Sequence, residues 1–200
     1  MHVAPTTVSG RRLRMEPLTR AHAPLLARSL DPACFIYMRE QPTKGHDVSA
    51  AEAYIDALHR VPTAVPFAAI ELDPPDHDGP MPVAVSLYCD IRPEHRGLEI
   101  GYTWIAPSRR GGFVNPEMKL LLMRHAFESL GAMRVMLKTD LRNTRSQAAI
   151  TKLGATREGV LRQHQLMPDG AIRDTVVFSV IDSEWASVKQ RLVERLGYEP

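Results

Sequence analysis

Residues 106–119 read APSRRGGFVNPEMK, two arginines and two glycines set directly before an Asn-Pro-Glu triplet. Asn115 suits a helix N-cap. Pro116 suits the first helical position, where its missing N–H costs nothing, and Glu117 complements the positive end of the helix dipole. A helix is therefore expected from Asn115 to about Leu130, with Gly131 as its stop. Free N–H groups at its start, glycines at 111 and 112 that let backbone approach a ligand, and the charges of Arg109 and Arg110 suit a phosphate or pyrophosphate. The same composition suits an exposed turn whose arginines keep it soluble, and the stretch alone does not separate the two.

Glu99 is the best candidate for a general base. It lies in LEIGYTWI (98–105), whose β-branched and aromatic residues predict a strand closed by Pro107. Regular alternation would put Glu99, Gly101, Thr103 and Ile105 on one face, so the carboxylate would share a surface with residues lining a cleft. The alternative is an edge-strand charge or an ion pair with Arg96 or Arg134. His95, His125 and His164 are weaker bases, with His125 on a helix flank and His164 able to reach a groove from its strand. Tyr88 and Tyr102 read as packing residues and Glu158 as structural.

The elements that must position these residues follow from periodicity and punctuation. A first strand is expected around 11–15, then a helix capped by Thr19 and running to about 29. The stretch 31–47 is irregular, punctuated by Pro32, Pro42 and Gly45, and Ser49 with Glu52 makes a capping box for a helix to about 60. Strands at 66–72 and 82–91 flank a turn-rich DPPDHDGP and form a hairpin, which 98–105 extends. In the helix after the basic loop, Met118, Leu121, Leu122, Ala126 and Phe127 form an apolar face, leaving Lys119, Arg124 and Glu128 for water. A strand at 134–140 comes next, then a short helix over 143–154 with an Asn cap and a Gly stop. A hairpin closes around 168–170, and a last helix from about 182 presents Trp185, Val188, Leu192 and Leu196. The fold expected is an α/β sheet of mixed direction, with a right-handed parallel crossover from 98 to 140 that places the basic loop at the carboxyl end of its strand.

The 200 residues fit one domain, and 44% hydrophobic with 24% charged residues is ordinary for a soluble globular protein. A formal net charge of +2, without a basic run interleaved with aromatics, gives no argument for nucleic acid. Cys34 and Cys89 carry no CxxC spacing and indicate neither a disulfide framework nor a zinc site. No apolar leader or membrane-length window is present, so a cytoplasmic protein that needs no membrane is expected. Motifs for P-loop, dinucleotide, zinc-protease and common hydrolase chemistry are absent.

Four stretches resemble the GNAT superfamily of acyl-CoA-dependent N-acyltransferases, within it the RimJ/RimL-like branch: EIGYTWI (99–105), RRGGFVN (109–115), NTRSQAAITKLGATREGVLRQH (143–164), and DG..RDTVVFSV followed by EW (169–185). The third is the most specific, and the resemblance spans roughly 11–190. It implies a single acyltransferase domain over 1–200, with a mostly antiparallel sheet of about seven strands flanked by helices. Acetyl-CoA would be the acyl donor, without a metal, and a small-molecule amine or protein N-terminus the acceptor; a homodimer stays open. The pyrophosphate loop would run through Arg109, Arg110, Gly111, Gly112, Phe113, Val114 and Asn115. There Val114 replaces the family's last small residue and Phe113 is bulkier than the usual glycine. The pantetheine arm would pair with backbone ending at Trp104 and Ile105. Asn143 would bond to it, and Ser146 would stand near the sulfur as donor or acid. The alternatives are a plain N-cap for Asn143 and an exposed helix hydroxyl for Ser146. A non-catalytic acyl-CoA-binding protein of the same fold is the other functional reading.

Overall fold

The computed structural model describes residues 1–31, 34–41, 45 and 47–198. Eight strands form one sheet in the order β1-β2-β3-β4-β5-β6-β8-β7. They are β1 (Val8–Ser9), β2 (Leu13–Pro17), β3 (Val65–Glu71), β4 (Met81–Arg92), β5 (Gly97–Ile105), β6 (Arg134–Asp140), β7 (Thr156–Leu166) and β8 (Ile172–Ile181). The helices are α1 (Ala23–Ala27), α2 (Val48–His59), α3 (Val114–Arg124), α4 (Thr144–Leu153) and α5 (Asp182–Leu196). Every neighbouring strand pair is antiparallel except β5 with β6, the expected crossover through α3. The strand beyond the expected seven is the two-residue β1, too short to leave a periodic signal.

Two apolar layers cover the sheet. One joins α3, α4 and α5 through Met118, Leu122, Ile150, Leu153, Trp185 and Leu192. The other joins α1 and α2 through Leu26, Tyr54, Ile55 and Leu58, with Phe35 and Trp104 between them and the sheet. Long all-buried runs in β3 and β4 follow from this cover on both faces.

Several local expectations are corrected. Helix α2 is capped by Asp47, whose side chain accepts from Ala50 N at 2.9 Å, and Ser49 instead donates to that carboxylate. Thr19 caps a single 3-10 turn, its N–H donating to His22 Nδ1, and α1 ends at Ala27. Helix α3 begins two residues early, with Phe113 rather than Asn115 at the cap position, so Asn115 lies inside the first turn. Glu117 and Lys119 are both buried. Glu117 Oε1 accepts from the N–H groups of Arg11 and Arg12 at 2.8 and 2.9 Å and ties the start of β2 to α3, a role worth more than a dipole contact. Pro32 and Pro42 lie outside the described residues; Gly45 has φ +123°, the left-handed side that favours glycine.

Candidate active site

Strands β5 and β6 run parallel but pair only over Gly97–Glu99 with Arg134–Met136. Beyond Glu99, β5 stays bonded to β4 and β6 to β8, so the two strands part and leave a wedge open toward their carboxyl ends. The edge of β5 from Gly101 to Ile105 faces this wedge with backbone groups that β6 does not take up. A β-bulge sharpens the divergence. Val85 pairs with Trp104 and Leu87 with Gly101, so Ser86 alone opposes Tyr102 and Thr103, and Tyr102 adopts φ +51°. The bulge breaks the alternation expected from sequence. Glu99 and Gly101 share the α1/α2 face with Trp104, whereas Thr103 turns toward α3, where its hydroxyl accepts from Lys119.

Two helix starts flank the wedge, because α3 follows β5 and α4 follows β6, and both pack on one face of the sheet. The first amides of a helix have no intrahelical acceptor, and in α3 the Glu117 N–H is bonded back to Phe113 O at 2.9 Å. The preceding loop supplies further amides. Gly111 has φ +81° with open space where a Cβ would stand, so glycine is required by the backbone turn and leaves the approach clear. Val114 is buried in the core, its side chain away from the loop, so its branching does not fill the site. Phe113 is half-buried and stacks under the Arg12 guanidinium at 4.0 Å.

The two arginines of the loop are engaged with protein groups. Arg109 bonds Glu71 Oε2 at 2.6 Å and also Asp76, fastening the loop to the end of β3. Arg110 donates to Ile105 O at 3.1 Å and to Cys34 Sγ, tying the loop to the segment beside α1. Both arginines thus fasten the loop to neighbouring elements.

On α4, Asn143 is the N-cap, with Oδ1 accepting from Ser146 N at 3.0 Å, and Gly154 closes the helix in the left-handed region. Cap and candidate donor therefore stand one turn apart at the mouth of the wedge. Glu99 sits at its apex, paired with Lys138 Nζ at 2.8 Å rather than with Arg96 or Arg134. Asp90, swung inward by its own positive φ, lies 3.5 Å from the same ammonium. Burial works against the charge on Lys138, but Glu99 and Asp90 overcome it and raise its pKa. Gly101 leaves room for the Glu99 carboxylate, since a Cβ there would stand 2.7 Å from Glu99 Oε1.

Of the other candidates, His95, His125 and Glu158 are engaged away from the Glu99–Lys138 pair. His125 stacks on Tyr88, and burial lowers its pKa. His95 is exposed in the 3-10 turn before β5. His164 lies near the apex, 3.1 Å from Thr175 Oγ1, with burial and then Lys138 lowering its pKa. Glu158 pairs with Arg134 and Ser179. Sequence reading missed Lys138 and Lys119. Both sit in apolar strand or helix patterns, where a lysine is ordinarily assigned to water.

The profile of the acetyltransferase (GNAT) domain matches residues 12–156, and the chain belongs to that family. The solved structure of a putative acetyltransferase from T. thermophilus superposes with a TM-score of 0.88 at 40% identity, covering 98% of this chain and 100% of that one. Mycobacterium smegmatis RimJ in complex with CoA-disulfide shares the fold at a TM-score of 0.74 and 23% identity, over 95% of this chain and 94% of that one. Among curated relatives, the uncharacterized N-acetyltransferase YoaA of Bacillus subtilis (strain 168) is 34% identical over 88 residues. That match covers 44% of this chain, which spans about half the length of the relative, 49%. Among the described residues no helix is long and apolar enough to cross a membrane.

Proposed function

We propose that the chain is an acetyl-CoA-dependent N-acetyltransferase that passes an acetyl group to a primary amine, a protein N-terminus or a small molecule, in a ternary complex. The observation that carries the reading is the edge of β5 beyond Glu99 that β6 leaves unpaired, opening between the starts of α3 and α4. An extended pantetheine arm can add to such an edge as a strand would. The amides of Gly111, Gly112, Phe113, Val114 and Asn115 suit a pyrophosphate. The CoA-disulfide held by M. smegmatis RimJ supports the same class of donor.

The residues divide the chemistry. Backbone at Trp104 and Ile105 aligns the arm, Asn143 offers its amide NH2 while its oxygen caps α4, and Ser146 stands ready to donate to the departing sulfur. Glu99 receives the amine's proton, directly or through water, and Lys138 holds the carboxylate in place. Positioning supplies much of the acceleration. On the α1/α2 face, the Glu40 Oε2, Tyr54 hydroxyl and Trp104 Nε1 are buried without a hydrogen-bond partner among the described residues, and unmet polar atoms suit an acceptor that carries both donors and acceptors.

A screen of acetyl-CoA against N-terminal peptides, polyamines and aminoglycosides, read by thiol release, tests the activity. Turnover on one class supports the reading. Glu99's existing partner, Lys138, favours a second one, a non-catalytic acyl-CoA-binding protein; tight CoA binding without thiol release from any acceptor would select it.

A further inference from the structure

Lys119 is the buried cation that the transfer scheme above leaves unused. It lies in α3 five residues after Val114, is 4% exposed, and Nζ donates to Thr103 Oγ1 at 2.8 Å. Thr103 Oγ1 is 2.9 Å from Ser86 Oγ, which in turn donates to Gly101 O at 3.3 Å. Gly101, Thr103 and Ser86 are three corners of the β5 bulge. The chain of bonds thus runs from the helix that starts at the basic loop into the irregularity that turns the strand edge toward the wedge. No carboxylate lies within ion-pair distance of Nζ among the described residues. The titratable groups whose charge acts on it are Cys89 on β4 and Glu99 on β5, across the sheet, and both favour the protonated form. Burial outweighs them and brings the ammonium down to a pKa of about 7.

A fully buried lysine with one hydroxyl partner is a poor choice for stability. Apolar residues of similar volume commonly equal or exceed a buried charge there. A buried charge that adds little stability points to a role at the adjoining site. We propose that Lys119 is a positioning residue for acyl transfer, holding the β5 bulge through Thr103 and setting positive charge beneath the strand edge where the thioester oxygen gains negative charge. Donors and charges fixed in advance in a dry site act on the transition state more than on binding. The inference rests on the wedge being the thioester site.

The sign of the pH effect follows from the lowered pKa. Below about pH 7 the ammonium form dominates and its contribution is full; above it the contribution fades. Comparing wild type with Lys119→Met at each pH cancels the ionisation of the acceptor amine. The kcat ratio is expected to be about tenfold or more near pH 6 and to shrink toward alkaline pH, with the KM for acetyl-CoA changed less than about twofold. Lys119→Arg, charged at every pH, should remove the inflection. Thr103→Val should lower kcat similarly, and the double variant no further, because the two residues act as one unit.

The melting temperature of Lys119→Met should equal or exceed that of wild type, most clearly at acid pH. A drop in melting temperature with unchanged kcat would make Lys119 a structural bolt and overturn the proposal, as would a rate ratio flat across pH. Backbone hydrogen exchange at 102–105 gives a readout without any acceptor. Faster exchange in Lys119→Met supports the hold on the bulge, and unchanged exchange overturns it even if acetyl transfer itself is never detected.

Discussion

Lys138 Nζ stands 2.8 Å from Glu99 Oε2 across the point where β5 and β6 part. Glu99 is in register with Met136, and Lys138 lies two residues further along β6, on the same face, where the ladder has already ended. The ion pair therefore bridges the wedge at its apex and fixes the carboxylate that would serve the acceptor amine. Lys138 reaches across that gap on a flexible four-carbon stem.

Glu99→Gln tests the carboxylate as base. The variant should turn over more slowly by a factor on the order of 10² below the amine's pKa, where deprotonation is demanding. The deficit should narrow as the acceptor arrives neutral. Paired pH–rate profiles at saturating acetyl-CoA measure it, and superimposable profiles would assign the proton to water or another residue.

Ser146→Ala should behave differently. Loss of one charge-assisted donor to the leaving sulfur, on the order of 1.5–3 kcal/mol, lowers kcat about ten- to a hundredfold at every pH. Weaker acetyl-CoA binding with an intact chemical step would reduce Ser146 to a contact with the donor.

Gly101→Ala places a methyl group 2.7 Å from Glu99 Oε1 and 3.2 Å from Cys89 Sγ. Crowding of this kind typically costs about 1–3 kcal/mol. The expected outcome is a carboxylate displaced from the apex, with reduced kcat and nearly unchanged CoA affinity by calorimetry. A variant with full activity would show that Glu99 need not occupy its present position.

Arg109→Ala is expected to act chiefly on stability. The side chains of Arg109 and Glu71 are 12% and 6% exposed, and truncating one partner strands the other charge. A loss of about 3 kcal/mol is expected from denaturant unfolding, with CoA affinity changed less than in a variant of the loop glycines. Unchanged stability together with a large loss of CoA affinity would return the guanidinium to the phosphates.

Much of this arrangement was legible in sequence. The strand at 134–140, the Asn143 cap, the Gly154 stop and the apolar stripe from Trp185 to Leu196 are carried by local spacing, and the structure has each of them. What could not be read depends on partners distant in the chain. Lys119 lies off the stripe of Met118, Leu121 and Leu122 on a helix that proves buried nearly all round, and its hydroxyl partner lies 16 residues away, so periodicity gave it to solvent. The bulge at Tyr102 adds a residue to one strand alone, a register event that the sequence of that strand does not mark; it moved Thr103 and Ile105 off the face of Glu99. Asp47 won the cap of α2 over Ser49 because its carboxylate reaches Ala50 N while also accepting from Ser49 Oγ.

Hydrogen–deuterium exchange with and without acetyl-CoA tests the central claim most directly, because it locates the donor without requiring an acceptor. The wedge account expects slower exchange in two segments, the β5 edge at 102–105 and the loop and first turn at 111–115, with little change along β1, β2 and β7. Protection confined to other parts of the sheet, or none at concentrations where calorimetry detects binding, would contradict it.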